Sequence, residues 1–326
     1  MHRYIFKRLL MLIPVIIGVS LLIFILMDLA PGNILDMAVP DGDPEVLARL
    51  EHEMGYDRSV FYRYFIYMRD LLKGDLGYSY YYKTDVWAMY IQRFPNTLKL
   101  AGASMLVCIV LSIPLGILAA LKHRTIVDNL ATTGALLGLS MPNFWLGLLL
   151  IILFSQMLGW LPSYGDEEGI KSLIMPAFTL GTGMMATLGR TTRSSMLDVL
   201  RQDYLRTARA KGVSNRKVVW RDALRNALIP IVTIIGTQLG GCLGGAVVTE
   251  NVFSWPGIGQ LLVGAIKGRD TTVVTGFILM SVIIVCIIQL LVDLLYAFID
   301  PRLRSQYASK KKSRRPQSAA AKGGAV

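Results

Sequence analysis

The stretch DYLRTARAKGVSNRKVVWRDALRNALIP, Asp203 to Pro230, decides how the rest of the chain is read. Leu197, Leu200, Tyr204 and Ala208 form one stripe at helical spacing. Lys211 and Gly212 end that helix, because glycine takes the left-handed backbone of a C-terminal cap without a steric penalty. Ser214 or Asn215 starts a second helix, in which Trp220, Ala223, Leu224, Ala227 and Leu228 continue the stripe. Two helices about a tight basic turn make a compact knob. Periodicity by itself favours a plainer reading, a basic helix lying on an anionic membrane surface.

Apolar blocks flank this stretch, Leu173 to Leu188 before it and Leu228 to Val248 after it. Four more follow the same pattern: Leu9 to Met27, Leu98 to Leu121, Leu136 to Leu158 and Val273 to Ile299. The chain has 326 residues, 53% hydrophobic and only 17% charged, and roughly 20 apolar residues cross the hydrocarbon as a helix. The expectation is an all-α integral membrane protein of six transmembrane helices. The block from Leu173 is short and carries Pro176, Gly181, Thr182 and Gly183; it is kept because the loop charges require an even number of crossings. With both termini inside, cytoplasmic segments hold 23 of the 34 Lys and Arg residues, ten of them between Arg190 and Arg225, as orientation by basic loops demands.

That orientation accounts for the net charge of +12, so nucleic acid is not expected as a partner, whereas membrane lipid is. Arg3, Lys7 and Arg8 before an apolar run imitate a signal peptide, but the run is long and no small-x-small site follows, so residues 1–30 read as a retained first span. Cys108, Cys242 and Cys286 all fall inside spans, as small hydrophobes. Residues 31–97 read as an external helical subdomain. Its three helices start at Asp43 with Pro44 next, at Ser59 running to Leu72 before Gly74, and at Thr84 ending at Pro95. Tyr78, Tyr80, Tyr81 and Tyr82 line a substrate entrance or, the plainer reading, sit at the headgroups. Residues 98–309 form the five-helix core, with a cytoplasmic loop at 196–229, and the basic tail 310–326 has nothing to pack.

At Asp203 to Pro230 the sequence resembles the coupling loop of ABC import permeases that work with a binding protein, in the peptide/nickel (dipeptide/oligopeptide) branch. Arg206, Thr207 and Ala208 stand where the general family has Glu-Ala-Ala, and the expected Ile-x-Leu-Pro fails where Asp222 and Arg225 stand; this departure favours the peptide-like branch over sugar permeases. Similar matches are GDLGYSY at Gly74 to Tyr80, SMPNFWLG at Ser140 to Gly147, GWLP at Gly159 to Pro162 and TRSSMLDVL at Thr192 to Leu200. TENVFSWPGIG at Thr249 to Gly259, GRD at Gly268 to Asp270 and LLVDLLYAFIDPRLR at Leu290 to Arg304 extend them over nearly the whole chain.

The resemblance implies a type I ABC importer permease fold, a second homologous permease subunit, two cytoplasmic ATPase subunits and an external substrate-binding protein. No G-x-x-x-x-G-K-[ST] phosphate loop occurs, so ATP and Mg are expected in the partner ATPases, and neither a cofactor nor a catalytic or metal site in this chain. The coupling surface implied is Asp203, Arg206, Thr207, Ala208, Lys211, Gly212, Val213, Ser214 and Asn215. Candidates for the translocation path are Pro142, Asn143, Gln238 and Glu250, since broken helices open backbone to a cavity; Pro142 and Asn143 fit packing equally well. Gly236 fits the path on the same ground, whereas Gly240, Gly241, Gly244 and Gly245 fit close helix packing better than a path. Trp160, Asp166, Glu167 and Glu168 are candidates for receptor contact, against the plainer reading of an interfacial anchor with solvated acids.

Two other classes compete. A secondary transporter coupled to ions or protons needs intramembrane charge, and only Asp28, Glu250 and Asp293 approach the spans. An intramembrane hydrolase needs a nucleophile with a base, and His2, His52 and His123 all lie outside the spans. Short peptides are the first expectation for the substrate, with nickel or a metal chelate as the alternative.

Overall fold

The computed structural model describes residues 2–29 and 44–299. Asp43, the side chain of Asp293 and the basic tail lie outside what is described. Helix α1, His2–Leu29, is followed by α2, Pro44–Met54, and α3, Val60–Leu71. Pro44 opens α2 as expected, and the Ser59 hydroxyl caps α3 by accepting from the Tyr62 amide. A two-residue hairpin, β1 Tyr78–Ser79 with antiparallel β2 Thr84–Asp85, leads into α4, Val86–Leu121.

Helix α4 departs from expectation at both ends. Its N-cap is Asp85 rather than Thr84, the carboxylate accepting from the Trp87 and Ala88 amides at 2.8 and 3.1 Å. Nor does it end at Pro95: it runs 36 residues with Pro95 and Pro114 inside. A proline deletes one backbone donor, which a long helix packed among neighbours survives where an isolated one does not.

Next come α5, Ile126–Ser140, and α6, Asn143–Leu150, prolonged by a π-helical segment Ile151–Met157. The expected third span is therefore no single helix: α5 and the α6 segment meet at an angle of 101°. Proline disfavours the helical region for its predecessor, and here Met141 takes the extended conformation at φ −78°, ψ 125°. Helix α7, Ile170–Leu200, is the short fourth block in full. Then follow α8, Asp203–Ala210; α9, Asn215–Lys217, running through a π-helical stretch Val218–Ala223 into α10, Leu224–Val252; α11, Ile258–Lys267; and α12, Thr271–Ile299. Among the described residues five helices are long and apolar enough to cross a membrane, or six if the bent pair counts as one crossing.

Helix α7 is polar because it is central. Glycines let α4 lie directly on it: a Cβ on Gly116 would fall 2.8 Å from the Gly189 carbonyl, and one on Gly181 would fall 2.9 Å from that of Ser104. Small residues in contact replace apolar bulk as the packing device. Three buried clusters follow. One joins Ile117, Leu188 and Met196 to Leu205, Val218 and Ala223 near the knob. A middle one joins Leu100, Leu180 and Ala246, and a third joins Ile23, Val86, Tyr90 and Phe277 at the hairpin end.

Candidate coupling surface and translocation path

The knob is built from its cap. Gly212 has φ +80°, its amide donates to the Arg209 carbonyl at 3.0 Å, and the Val213 amide reaches back to Ala208 at 3.2 Å. This pair of bonds is the Schellman closure of α8. Leu205 points inward and is fully buried, while the Tyr204 hydroxyl accepts from Asn226 Nδ2 at 2.7 Å on α10. Around these anchors Asp203, Arg206, Thr207, Lys211, Gly212, Val213, Ser214 and Asn215 are exposed, and Ala208 is half-buried. The structure thus gathers all nine expected coupling residues on one protrusion fixed to the start of α10.

The four path candidates divide. Pro142 sits at the break, and the Asn143 amide lies beside Gly183, whose Cβ would come within 3.4 Å of Asn143 Oδ1. From the other side Gln238 Nε2 donates to the Met184 carbonyl at 3.2 Å, and its Oε1 is buried with no partner. Asn143 and Gln238 therefore converge on Gly183 and Met184 of α7, while Pro142 stands next to Asn143 at the break.

Glu250 is elsewhere, twelve residues and about 18 Å further along α10. It is fully buried. Its Oε1 accepts from the Thr97 hydroxyl at 2.7 Å, and its Oε2 from the amides of Gly259 and Gln260 at 2.6 and 3.1 Å. Those amides open α11, where a helix presents unpaired donors and positive dipole. Thr97 also accepts from the Ile258 amide at 2.8 Å. Trp255 Nε1 donates to the Asn96 carbonyl at 2.9 Å, and Asn96 Nδ2 to that of Pro256 at 3.1 Å. The TENVFSWPGIG segment is thereby stapled to α4.

The acidic loop is also not uniform. Asp166 is half-buried, with Asn96 Nδ2 at 3.5 Å from its Oδ2, while Glu167 and Glu168 are exposed. Trp160 is 65% exposed and lies against Phe154, centroids 6.0 Å apart.

Two polar contacts escaped sequence reasoning. Asp128 at the start of α5 is buried and takes both arms of Arg193 on α7 at 2.6 and 2.7 Å, with the Arg124 amide at 3.0 Å and His123 Nδ1 at 3.2 Å. Asp270 before α12 accepts from the buried Ser79 hydroxyl at 2.5 Å and the Val273 amide at 3.1 Å. The available signal was an acid placed at each helix start; which partner it meets depends on the fold.

Residues 112–305 match the family described as binding-protein-dependent transport system inner membrane component, and residues 1–101 match its N-terminal membrane component. The di/tripeptide transport system permease protein DppB of Pseudomonas aeruginosa is 42% identical over 94% of this chain and all of its own length. The dipeptide permease DppB of Escherichia coli K12 is 39% identical over 93% of this chain and 99% of its own. The glutathione permease GsiC of Escherichia coli O6:H1 is 41% identical at the same coverage. Among solved structures, an inward-facing form of the MetNI methionine ABC transporter superposes with a TM-score of 0.56 at 19% identity, over 66% of this chain and 97% of that one, which shows a shared fold. The chain belongs to the family of binding-protein-dependent transport system inner membrane components, as a multi-pass permease.

Proposed function

We propose that this permease is a subunit of an ATP-driven importer of short peptides, oriented with both termini and the Asp203–Asn215 knob in the cytoplasm. A second homologous permease completes the path, two ATPase subunits bind ATP and Mg2+ and dock on the knob, and an external binding protein delivers substrate. The observation that carries this reading is the knob itself. A lever must be rigid, exposed and joined to a span; here a glycine-capped turn is exposed, Leu205 locks it into the core, and its second limb continues without a break into α10.

Peptides are favoured over nickel by the relatives, which are named for di/tripeptides, dipeptides and glutathione. Polar groups of Asn143 and Gln238 meeting at α7 would give such a substrate hydrogen-bonding partners within the membrane. The test is uptake of labelled dipeptides and tripeptides by proteoliposomes holding the whole complex with its binding protein. Uptake is expected to require internal ATP and to survive collapse of ion gradients; uptake that follows a gradient, or that carries nickel and no peptide, overturns the proposal.

A further inference from the structure

A cavity of about 510 Å3 lies between α4, α5 and α7. Its walls are apolar: Leu115 and Leu118 from α4, Val127, Leu130 and Ala135 from α5, Met185 from α7. Gly134 and Gly138 form an open floor, since a Cβ on either would meet nothing within 4 Å. Two arginines stand at one end, Arg190 and Arg193. Arg193 is neutralised by the bidentate contact with Asp128. Arg190 is exposed, and its Nε donates only to the Ala186 carbonyl of its own helix, at 3.3 Å. Among the described residues no carboxylate pairs with its guanidinium.

Depth gives this charge a meaning. The residues 170–189 of α7 rise about 30 Å, the thickness of the hydrocarbon, so Arg190 stands at the polar boundary with the apolar cavity running back from it. We propose that the cavity holds one anionic phospholipid, its phosphate on Arg190 and an acyl chain along the α4–α5–α7 groove. An unpaired guanidinium at headgroup level selects the negative head, and apolar walls suit a chain rather than a peptide, whose backbone amides they leave unsatisfied. The site goes beyond peptide transport and does not depend on what is carried.

The test uses the assembled transporter in nanodiscs of phosphatidylcholine with or without phosphatidylglycerol, with retained lipid read by native mass spectrometry after detergent transfer. Wild type is expected to keep one phosphatidylglycerol in preference to phosphatidylcholine. Arg190→Gln should weaken that retention about fivefold, Arg190→Lys should restore most of it, and Gly134→Leu should abolish it by filling the floor while the arginine remains. Leucine is the better helix former, so this last change does not weaken α5. Equal retention of both lipids, unchanged retention in Arg190→Gln, a transported peptide in place of lipid, or a cross-link from a photoreactive residue at position 130 to the second permease would each overturn the proposal.

Discussion

Glu250 shows what a single residue adds. Its donors are all neutral, two of them amides at the start of α11, and the motif around it is glycine-rich for a steric reason: a Cβ on Gly257 would fall 2.2 Å from its Oε1. Sequence alone placed Glu250 at the end of a span as a path candidate. Its use as a cap depends on a chain reversal through Trp255 and Pro256 that periodicity does not encode. Glu250→Ala should leave three donors unpaired, each costing about 1–3 kcal/mol, and so lower the melting temperature of the purified complex sharply. Glu250→Gln, keeping one acceptor oxygen, should do so less. If instead the glutamine raised the KM for peptide while thermal stability stayed at the wild-type value, the capping role would be wrong. Asp270 offers a second residue-scale check. Burial pushes its carboxyl up from the usual range, against the Ser79 hydroxyl and Val273 amide. A raised acid stabilises fully below its unfolded value near about 4 and loses that contribution as pH rises through the folded value. Hydrogen exchange in the Tyr78–Asp85 hairpin should accordingly report a progressively weaker attachment as pH rises above about 4, beyond the intrinsic rate change, and Asp270→Asn should flatten the trend.

At the scale of elements, sequence was informative where local geometry decides and silent where neighbours decide. The cap at Gly212 was legible because positive φ has one common residue. The end of α4 was misread at Pro95 because the neighbours that tolerate proline in a helix are distant in sequence. Pro142 was flagged as a break, but the turn of 101° between α5 and α6 follows from packing on α7, α10 and the loop beyond. Glycines at 240–245 behave both ways: a Cβ on Gly240 would strike Gln289 at 2.8 Å, whereas Gly241 and Gly244 face open space. Gly212→Val would force a β-branched residue into the left-handed region, at about 1–2 kcal/mol or more. Stimulation of ATP hydrolysis by loaded binding protein should then fall while the subunits still copurify, and Gly212→Asn should be tolerated. Undiminished stimulation in the valine variant would remove the knob from the coupling path. In the acidic loop only Glu167 and Glu168 are free to meet a receptor. Neutralising that pair should weaken binding-protein docking at low salt and not at high salt, with affinity measured by surface plasmon resonance; no change at low ionic strength would reduce the loop to a connector.

For the whole molecule, the sequence motifs cluster at two ends of the helical body. The knob and its core cluster lie at one end, and the Glu250 staple, the hairpin and Asp270 at the other. Purified alone, the chain should bind no ATP, since no phosphate cradle exists in its sequence; equilibrium binding of a fluorescent nucleotide at micromolar affinity would contradict the division of labour proposed above. What joins the two ends is α4, continuous for 36 residues and so about 54 Å long. Thr97 on it holds the Glu250 carboxylate, while Ile117 and Ala120 pack in the cluster that contains Leu205. A rod shared by both ends makes them one cooperative unit. Amides at the α11 start and at Leu205 should therefore lose exchange protection together under mild denaturant, at one common opening energy, rather than as separate foldons. The two prolines set where that rod can yield, because each leaves the carbonyl four residues earlier without its donor.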